Sequence, residues 1–213
     1  MSQIPFIAVE GPIGIGKTSL AEKLAAHFQF HLLKEIVEEN PFLGKFYENI
    51  EEWSFQTEMF FLCNRYKQLE DIERDYLSKY KPVVADYHIF KNMIFAKRTL
   101  PKDKFLKYEQ IFNILTKDMP TPNIIVYLHA SLETILKRIE LRGRKLEQNI
   151  QASYLAQLIQ DYEMFMDHFE KEYPSIPVIR IDGDKVDFVY YQEHLDQIIE
   201  QISKQLPYKF QQT

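Results

Sequence analysis

Residues 11–18 run Gly-Pro-Ile-Gly-Ile-Gly-Lys-Thr, a Gly-x-x-x-x-Gly-Lys-Thr string with an apolar run at 6–9 before it. A helical pattern carrying Leu20, Ala21, Leu24, Ala25 and Phe28 follows it. No other stretch restricts the fold as strongly. Gly11, Gly14 and Gly16 let the backbone curl until successive N–H groups converge on phosphate oxygens. Lys17 then reaches the β- and γ-phosphates, the Thr18 hydroxyl is set to ligate Mg2+, and the N-terminus of the following helix faces the same anion. Strand, loop and helix in that order make a P-loop that binds a nucleoside triphosphate with Mg2+. The alternative is a plain glycine-rich turn ahead of a helix, which the flanks disfavour.

The strands announce themselves as short, continuous apolar runs at 6–9, 31–36, 82–85, 124–128 and 178–181. Unbroken apolar character implies burial on both faces, as in a parallel sheet. Helical periodicity fills the spaces between, at about 17–28, 54–79, 89–98, 102–118, 131–142, 150–173 and 189–206. The alternation predicts a doubly wound α/β fold, five parallel strands flanked by helices. A chain of 213 residues, 46% hydrophobic, suits one such domain over 1–213. Ligands of doubly wound sheets bind at the carboxyl ends of the strands. Functional weight therefore falls on 11–18, 35–40, 86–88, Ala130 onward, and 182–184.

Net charge is −5, which argues against a nucleic-acid partner. Cys63 is the only cysteine, so no intrachain disulfide forms. With no leader-like segment and no 18-residue apolar run, the chain reads as soluble and cytoplasmic, without a membrane partner. Gln211, Gln212 and Thr213 read as a loose tail.

Acidic residues close the second and third strands. Glu35 lies across the crevice from the loop, where a carboxylate accepts a proton from an attacking hydroxyl. On residues alone it reads equally as a solvated loop acid, and Glu38 and Glu39 read as loop acids. Asp86 ends the third strand, as a second Mg2+ partner or a helix N-cap. His88 reads as structural. Arg138 and Arg142 are four apart on one helix face, and Arg144 follows Gly143. Three guanidiniums aimed one way form an Arg-rich lid, about 138–150, over a transferring phosphate. The alternative is a charged helix end.

Together these residues resemble the deoxynucleoside kinase family, which contains deoxycytidine and deoxyguanosine kinases, over nearly the whole chain and in the same order. The resemblance implies a P-loop kinase fold, ATP as phosphate donor, Mg2+, a deoxynucleoside acceptor, a place in nucleotide salvage and a homodimer. Glu35, Lys17, Arg138 and Arg142 become the catalytic set. Gly11, Gly14, Ile15, Gly16, Lys17, Thr18 and Ser19 hold the triphosphate with Arg138, Arg142 and Arg144, while Asp182, Gly183 and Asp184 meet the donor base. Thr18 and Asp86 hold the metal.

For the acceptor, the resemblance implies Tyr47 and Glu147 on the sugar 3′-hydroxyl, with Trp53 packing nearby. It implies Phe55 and Phe95 against the base, the Gln56 amide on the base edge, and Asn92 at a base-choosing position. Taken singly, Phe55 and Phe95 also read as core and Gln56 as helix surface. The chain departs from the family at Asp86-Tyr87-His88, where an acid is normally followed by Arg and then Ser or Thr. Another cation, Arg65 or a lid arginine, is the expected substitute. The strings Glu-Ile-Val-Glu-Glu-Asn-Pro, Trp-Ser-Phe-Gln and Ala-Asp-Tyr-His look most like the deoxyguanosine-phosphorylating branch in Gram-positive bacteria. The alternatives are a deoxyadenosine or deoxycytidine kinase, or a thymidylate-type monophosphate kinase, which needs an Arg where Tyr87 stands. A nucleotide-dependent switch would carry Asn-Lys-x-Asp, which the chain lacks.

Overall fold

Each apolar run forms a strand, and every strand is parallel to its neighbours. In the computed structural model, which describes residues 4–37, 39–144, 147, 150–207 and 210, the strands are β1 (Phe6–Glu10), β2 (His31–Leu33), β3 (Val83–Ala85), β4 (Ile124–His129) and β5 (Val178–Asp182). They join in the order β2-β3-β1-β4-β5. The helices among the described residues are α1 (Lys17–Phe28), α2 (Leu43–Glu48), α3 (Ile50–Asp75), α4 (Lys91–Thr99), α5 (Lys102–Thr116), α6 (Leu132–Arg142), α7 (Ala152–Glu172) and α8 (Gln192–Ser203). A 3-10 turn, Leu77–Lys79, follows α3. Glu38 and the expected tail 211–213 lie outside the described residues, as do Lys145 and Leu146 of the basic segment.

All five residues of β1 are buried, because helices cover both faces of the sheet. Core residues of α1 and α8 pack with β1, β4 and β5 in one cluster, and those of α3, α4 and α5 pack with β3 in another. Full burial of each Ile, Leu or Phe contributes about 2 kcal/mol, which makes these faces the main stabilising surfaces.

Three differences from the sequence reading have identifiable physical causes. The second strand stops at Leu33 rather than 36. Asp86 N–H still bonds Leu33 O at 3.1 Å, but the next donor, Glu35 N–H, goes to the Asp86 carboxylate at 2.7 Å instead of to a strand. Helix α2 was missed because six residues, Gly44 among them, are too short to show a 3.6-residue period, and its N-cap Phe42 supplies no side-chain cap. The long helix starts earlier than expected, at Ile50. Asn49 caps it by accepting from Glu52 N–H at 3.3 Å and donating back to the Glu52 carboxylate at 3.1 Å.

Candidate active site

The loop between β1 and α1 is built on positive φ angles, 146° at Gly11, 79° at Gly14 and 108° at Gly16. A Cβ on Gly11 would stand 2.3 Å from the Leu128 carbonyl oxygen, and one on Gly14 would stand 2.4 Å from Ile139 Cγ1. The loop is thus clamped between the sheet and α6, and only glycine fits. Gly16 caps α1 without a side-chain hydrogen bond, so the first amides of α1 remain available to an anion. The Lys17 ammonium donates to the carbonyls of Gly11 at 2.9 Å and Pro12 at 3.0 Å. Burial, then the neighbouring Lys91, lowers its pKa to about 8 against the pull of Glu35, Glu10 and Asp86.

Asp86 sits where β3 ends. One carboxylate oxygen accepts from Thr18 Oγ1 at 2.7 Å and the other from Glu35 N–H at 2.7 Å. It does not cap α4, whose N-cap is Phe90. A hydroxyl and a carboxylate side by side at the loop are hard oxygen donors of the kind that Mg2+ prefers. His88 is structural: burial lowers its pKa to about 3, and its ring meets Pro120 O at 3.3 Å.

Glu35 is the charge centre of the site. Arg65 donates to Oε1 from Nε at 3.0 Å and from Nη2 as well, while Lys91 Nζ reaches Oε1 at 3.0 Å and Oε2 at 2.9 Å. Burial alone would raise the Glu35 pKa, but Lys91, Arg65 and Lys17 together hold it well below the usual carboxylate range. Glu35 is therefore an anchored anion and not a solvated loop acid. Arg65, expected as one substitute for the missing third-strand arginine, is present. Lys91 was not foreseen, although a lysine inside the apolar run Ile89-Phe90-Lys91-Asn92-Met93-Ile94 was a visible signal. Tyr87 is fully buried and donates its hydroxyl to Gln68 at 2.6 Å. Glu10 was missed too. It is buried at the end of β1, where it accepts from His88 N–H at 2.5 Å and helps seat the β3 end beside the loop.

Lys17, Thr18, Glu35, Arg65, Asp86 and Lys91 line one cavity of about 1120 Å³ that runs from the loop to α2, α3 and α4. A typical small-molecule site holds about 300–1,000 Å³, so there is room for two ligands. Gly14, Ile15, Gly16, Lys17, Thr18, Ser19, Glu35, Asp86, Tyr47, Phe95 and Glu147 all face it, as do Arg138, Arg142, Arg144, Gly183 and Asp184. Arg138 ties α6 to the loop and to the β5 end, donating to Ile15 O at 2.7 Å and Gly183 O at 2.8 Å. Arg142 and Arg144 approach Glu147 Oε1 at 3.3 and 3.6 Å. The other Glu147 oxygen is buried with no hydrogen-bond partner among the described residues.

Five expected contacts do not reach the cavity, the first being Gly11, whose carbonyl accepts from Lys17. At about 100° per residue, Thr57, Glu58, Phe61 and Arg65 share one face of α3, which puts Gln56 on the opposite side. Gln56 is exposed, and Phe55 packs into the cluster against β3. Asn92 lies behind Arg65, fully buried, accepting from Arg65 Nη1 at 2.5 Å and donating to Tyr108 Oη at 2.6 Å. Asp182 turns away to Lys185 at 2.8 Å and to Asp184 N–H at 3.0 Å. Asp184 is on the cavity wall, but its carboxylate is committed to Ser131, at 2.9 Å from N–H and 2.8 Å from Oγ. Trp53 packs as expected, stacked on Phe42 with Lys45 over its ring.

A phosphate-cradling loop facing an anchored carboxylate across one cavity defines a phosphotransferase of the P-loop class. The chain belongs to the deoxynucleoside kinase family, whose family model matches residues 7–207. It is 54% identical over 198 residues to the deoxyguanosine kinase of Bacillus subtilis (strain 168), covering 93% of this chain and 96% of that protein. It is 31% identical over 201 residues to the deoxyadenosine/deoxycytidine kinase of the same organism, covering 92% and 91%. The fold matches that of M. mycoides deoxyadenosine kinase, solved with dCMP and dCDP, at a TM-score of 0.80 and 23% identity, covering 93% of this chain and 99% of that one. Among the described residues no helix is long and apolar enough to cross a membrane.

Proposed function

We propose that this protein transfers the γ-phosphoryl group of ATP to the 5′-hydroxyl of deoxyguanosine. One observation carries the reaction type: the Glu35 carboxylate, fixed by Arg65 and Lys91, shares a single cavity with Lys17 and Thr18. The 54% identity to a deoxyguanosine kinase over nearly the full length supports guanine as the base. In this reading the loop amides and Lys17 hold the β- and γ-phosphates, and Glu35 orients the hydroxyl and accepts its proton. Arg138, Arg142 and Arg144 offset charge on the transferring group. Thr18 and Asp86 hold Mg2+, which supplies neutralising charge on the phosphate oxygens. Tyr47 and Glu147 take the sugar hydroxyl, and the unpartnered Glu147 oxygen supports that role. A carboxylate held so acidic is a weak base. It suits a loose transition state in which the hydroxyl gives up its proton late.

Residues 1–213 act as one domain in this reading, with 138–150 as its lid. The protein is a cytoplasmic homodimer, and the exposed Leu106 and Ile114 of α5 offer apolar surface to a second copy.

The test is phosphorylation of dGuo against dGMP and dTMP with ATP and Mg2+. Turnover of dGuo alone is expected. A monophosphate kinase needs a cation free for the acceptor phosphate, and Tyr87 occupies the usual place while Arg65 and Lys91 are held by Glu35. Faster turnover of dGMP or dTMP overturns the reading.

Triphosphate binding also carries a proton signature. Lys17 titrates near 8 in the free protein, and bound phosphate raises that value, so binding at pH 8 takes up as much as about half a proton. Below pH 7 the Lys17 uptake fades, because the group is already charged. Calorimetry in buffers of different ionisation heat reads the uptake, and a null result at pH 8 contradicts the role given to Lys17.

A further inference from the structure

Glu58 is a buried carboxyl that neither the phosphate chemistry nor the proton transfer uses. It lies on the cavity face of α3, 2% exposed, and makes no hydrogen bond or ion pair with any described residue. Burial pushes its pKa up to about 8, against the pull of Arg65 on its own helix and Lys91 on α4, with Glu35 pushing the same way as burial. Tyr47, Tyr108 and Tyr154 also feel its charge. A neutral carboxyl can stay buried without a partner at modest cost, where an ion could not. Beside it the Thr57 hydroxyl is buried and unpartnered, and the aromatic side chains of Phe61 and Phe95 line the same cavity.

We propose that Glu58 is the base-reading residue, its carboxylate accepting from N1–H and the 2-amino group of guanine. This rests on the deoxyguanosine reading above and replaces Gln56, which faces away from the cavity. An ionised carboxylate offers only acceptors. Guanine presents two adjacent donors on its pairing edge. Adenine and cytosine present one amino donor beside a ring-nitrogen acceptor, which sets lone pair against lone pair at a carboxylate. An amide, with one donor and one acceptor, fits those two bases instead. Once ionised, glutamate at this position selects guanine over the other two bases, whereas its protonated form, with one donor and one acceptor, loses that selectivity, so the preference for guanine sharpens as pH rises toward 8.

The test measures kcat/KM for dGuo, deoxyinosine, dAdo and dCyd with the native enzyme and with Glu58→Gln. The native enzyme should favour dGuo over dAdo and dCyd by about 10²-fold or more, and lose about tenfold or more on deoxyinosine, which lacks the 2-amino group. Glu58→Gln should lose about 10²-fold on dGuo and gain on dAdo or dCyd. A uniform loss on all four nucleosides, or an unchanged ranking, overturns the proposal. If the native enzyme itself does not prefer dGuo, the acceptor reading fails, and the native arm alone reveals that.

A second readout needs no variant. Nucleoside binding without triphosphate should tighten as pH rises from 6 to 8, by about tenfold per unit well below 8, as Glu58 ionises to meet its donors. A flat profile, or equal affinity for dGuo and deoxyinosine, also overturns it.

Discussion

Glu35→Gln is expected to lower kcat about a thousandfold while leaving dGuo binding within a few fold. A positioned acid–base group contributes 10²–10⁴ in rate, and the amide of Gln cannot take the proton. The side chain keeps its length, so the cavity wall keeps its shape. The charge does not survive, and Arg65 and Lys91 lose the carboxylate that both of them hold. Circular dichroism and dGuo titration of the variant separate lost chemistry from a lost fold. A kcat within tenfold of the native value would mean that Glu35 is not the proton acceptor.

Lys91→Met should cost about 3 kcal/mol at pH 7 and at least tenfold in kcat. Lys91 and Glu35 side chains are 5% and 10% exposed, so little water screens the pair, and removing one partner of a buried ion pair is expensive. Arg65 remains on Glu35, which keeps the expected cost at the low end. The pH dependence has a definite sign. The folded-state pKa of Glu35 lies below its ordinary value of 4.5. Its stabilising contribution is therefore present above about 4.5 and is lost as pH falls through the depressed value. In the variant that depression is smaller, so the stability gap is widest near neutrality and narrows toward pH 3. Urea unfolding at pH 7, 5 and 3 reads the gap. A gap under about 0.5 kcal/mol, or one independent of pH, contradicts the account of Lys91 as an anchor of the carboxylate.

The parts of the fold that were legible in the sequence are those whose cause is local. The apolar runs of β1 and β4 mark strands because both faces are buried, and the glycines of 11–16 mark the loop because no other residue takes those φ angles. Ser131 and Gly143 bracket α6 for the same kind of reason, the first accepting from Thr134 N–H and the second standing at φ 64°. What stayed hidden depended on which face of a helix meets the cavity. Gln56 and Glu58 are two residues apart, yet about 200° of helical rotation puts one in solvent and the other at the cavity. Asn92 and Lys91 differ by one residue, and the neighbour of the expected position is the one that reaches Glu35. The early end of β2 depends on Asp86, a partner that no local window of sequence contains, and α2 is too short to show a helical period.

Following the label of γ-labelled ATP with dGuo and Mg2+ tests the central claim most directly. The account predicts that the label appears on the 5′-oxygen as dGMP, at a rate that falls about a thousandfold in Glu35→Gln. Label released to water, carried by the 3′-oxygen, or transferred equally well by the Glu35→Gln variant would contradict it.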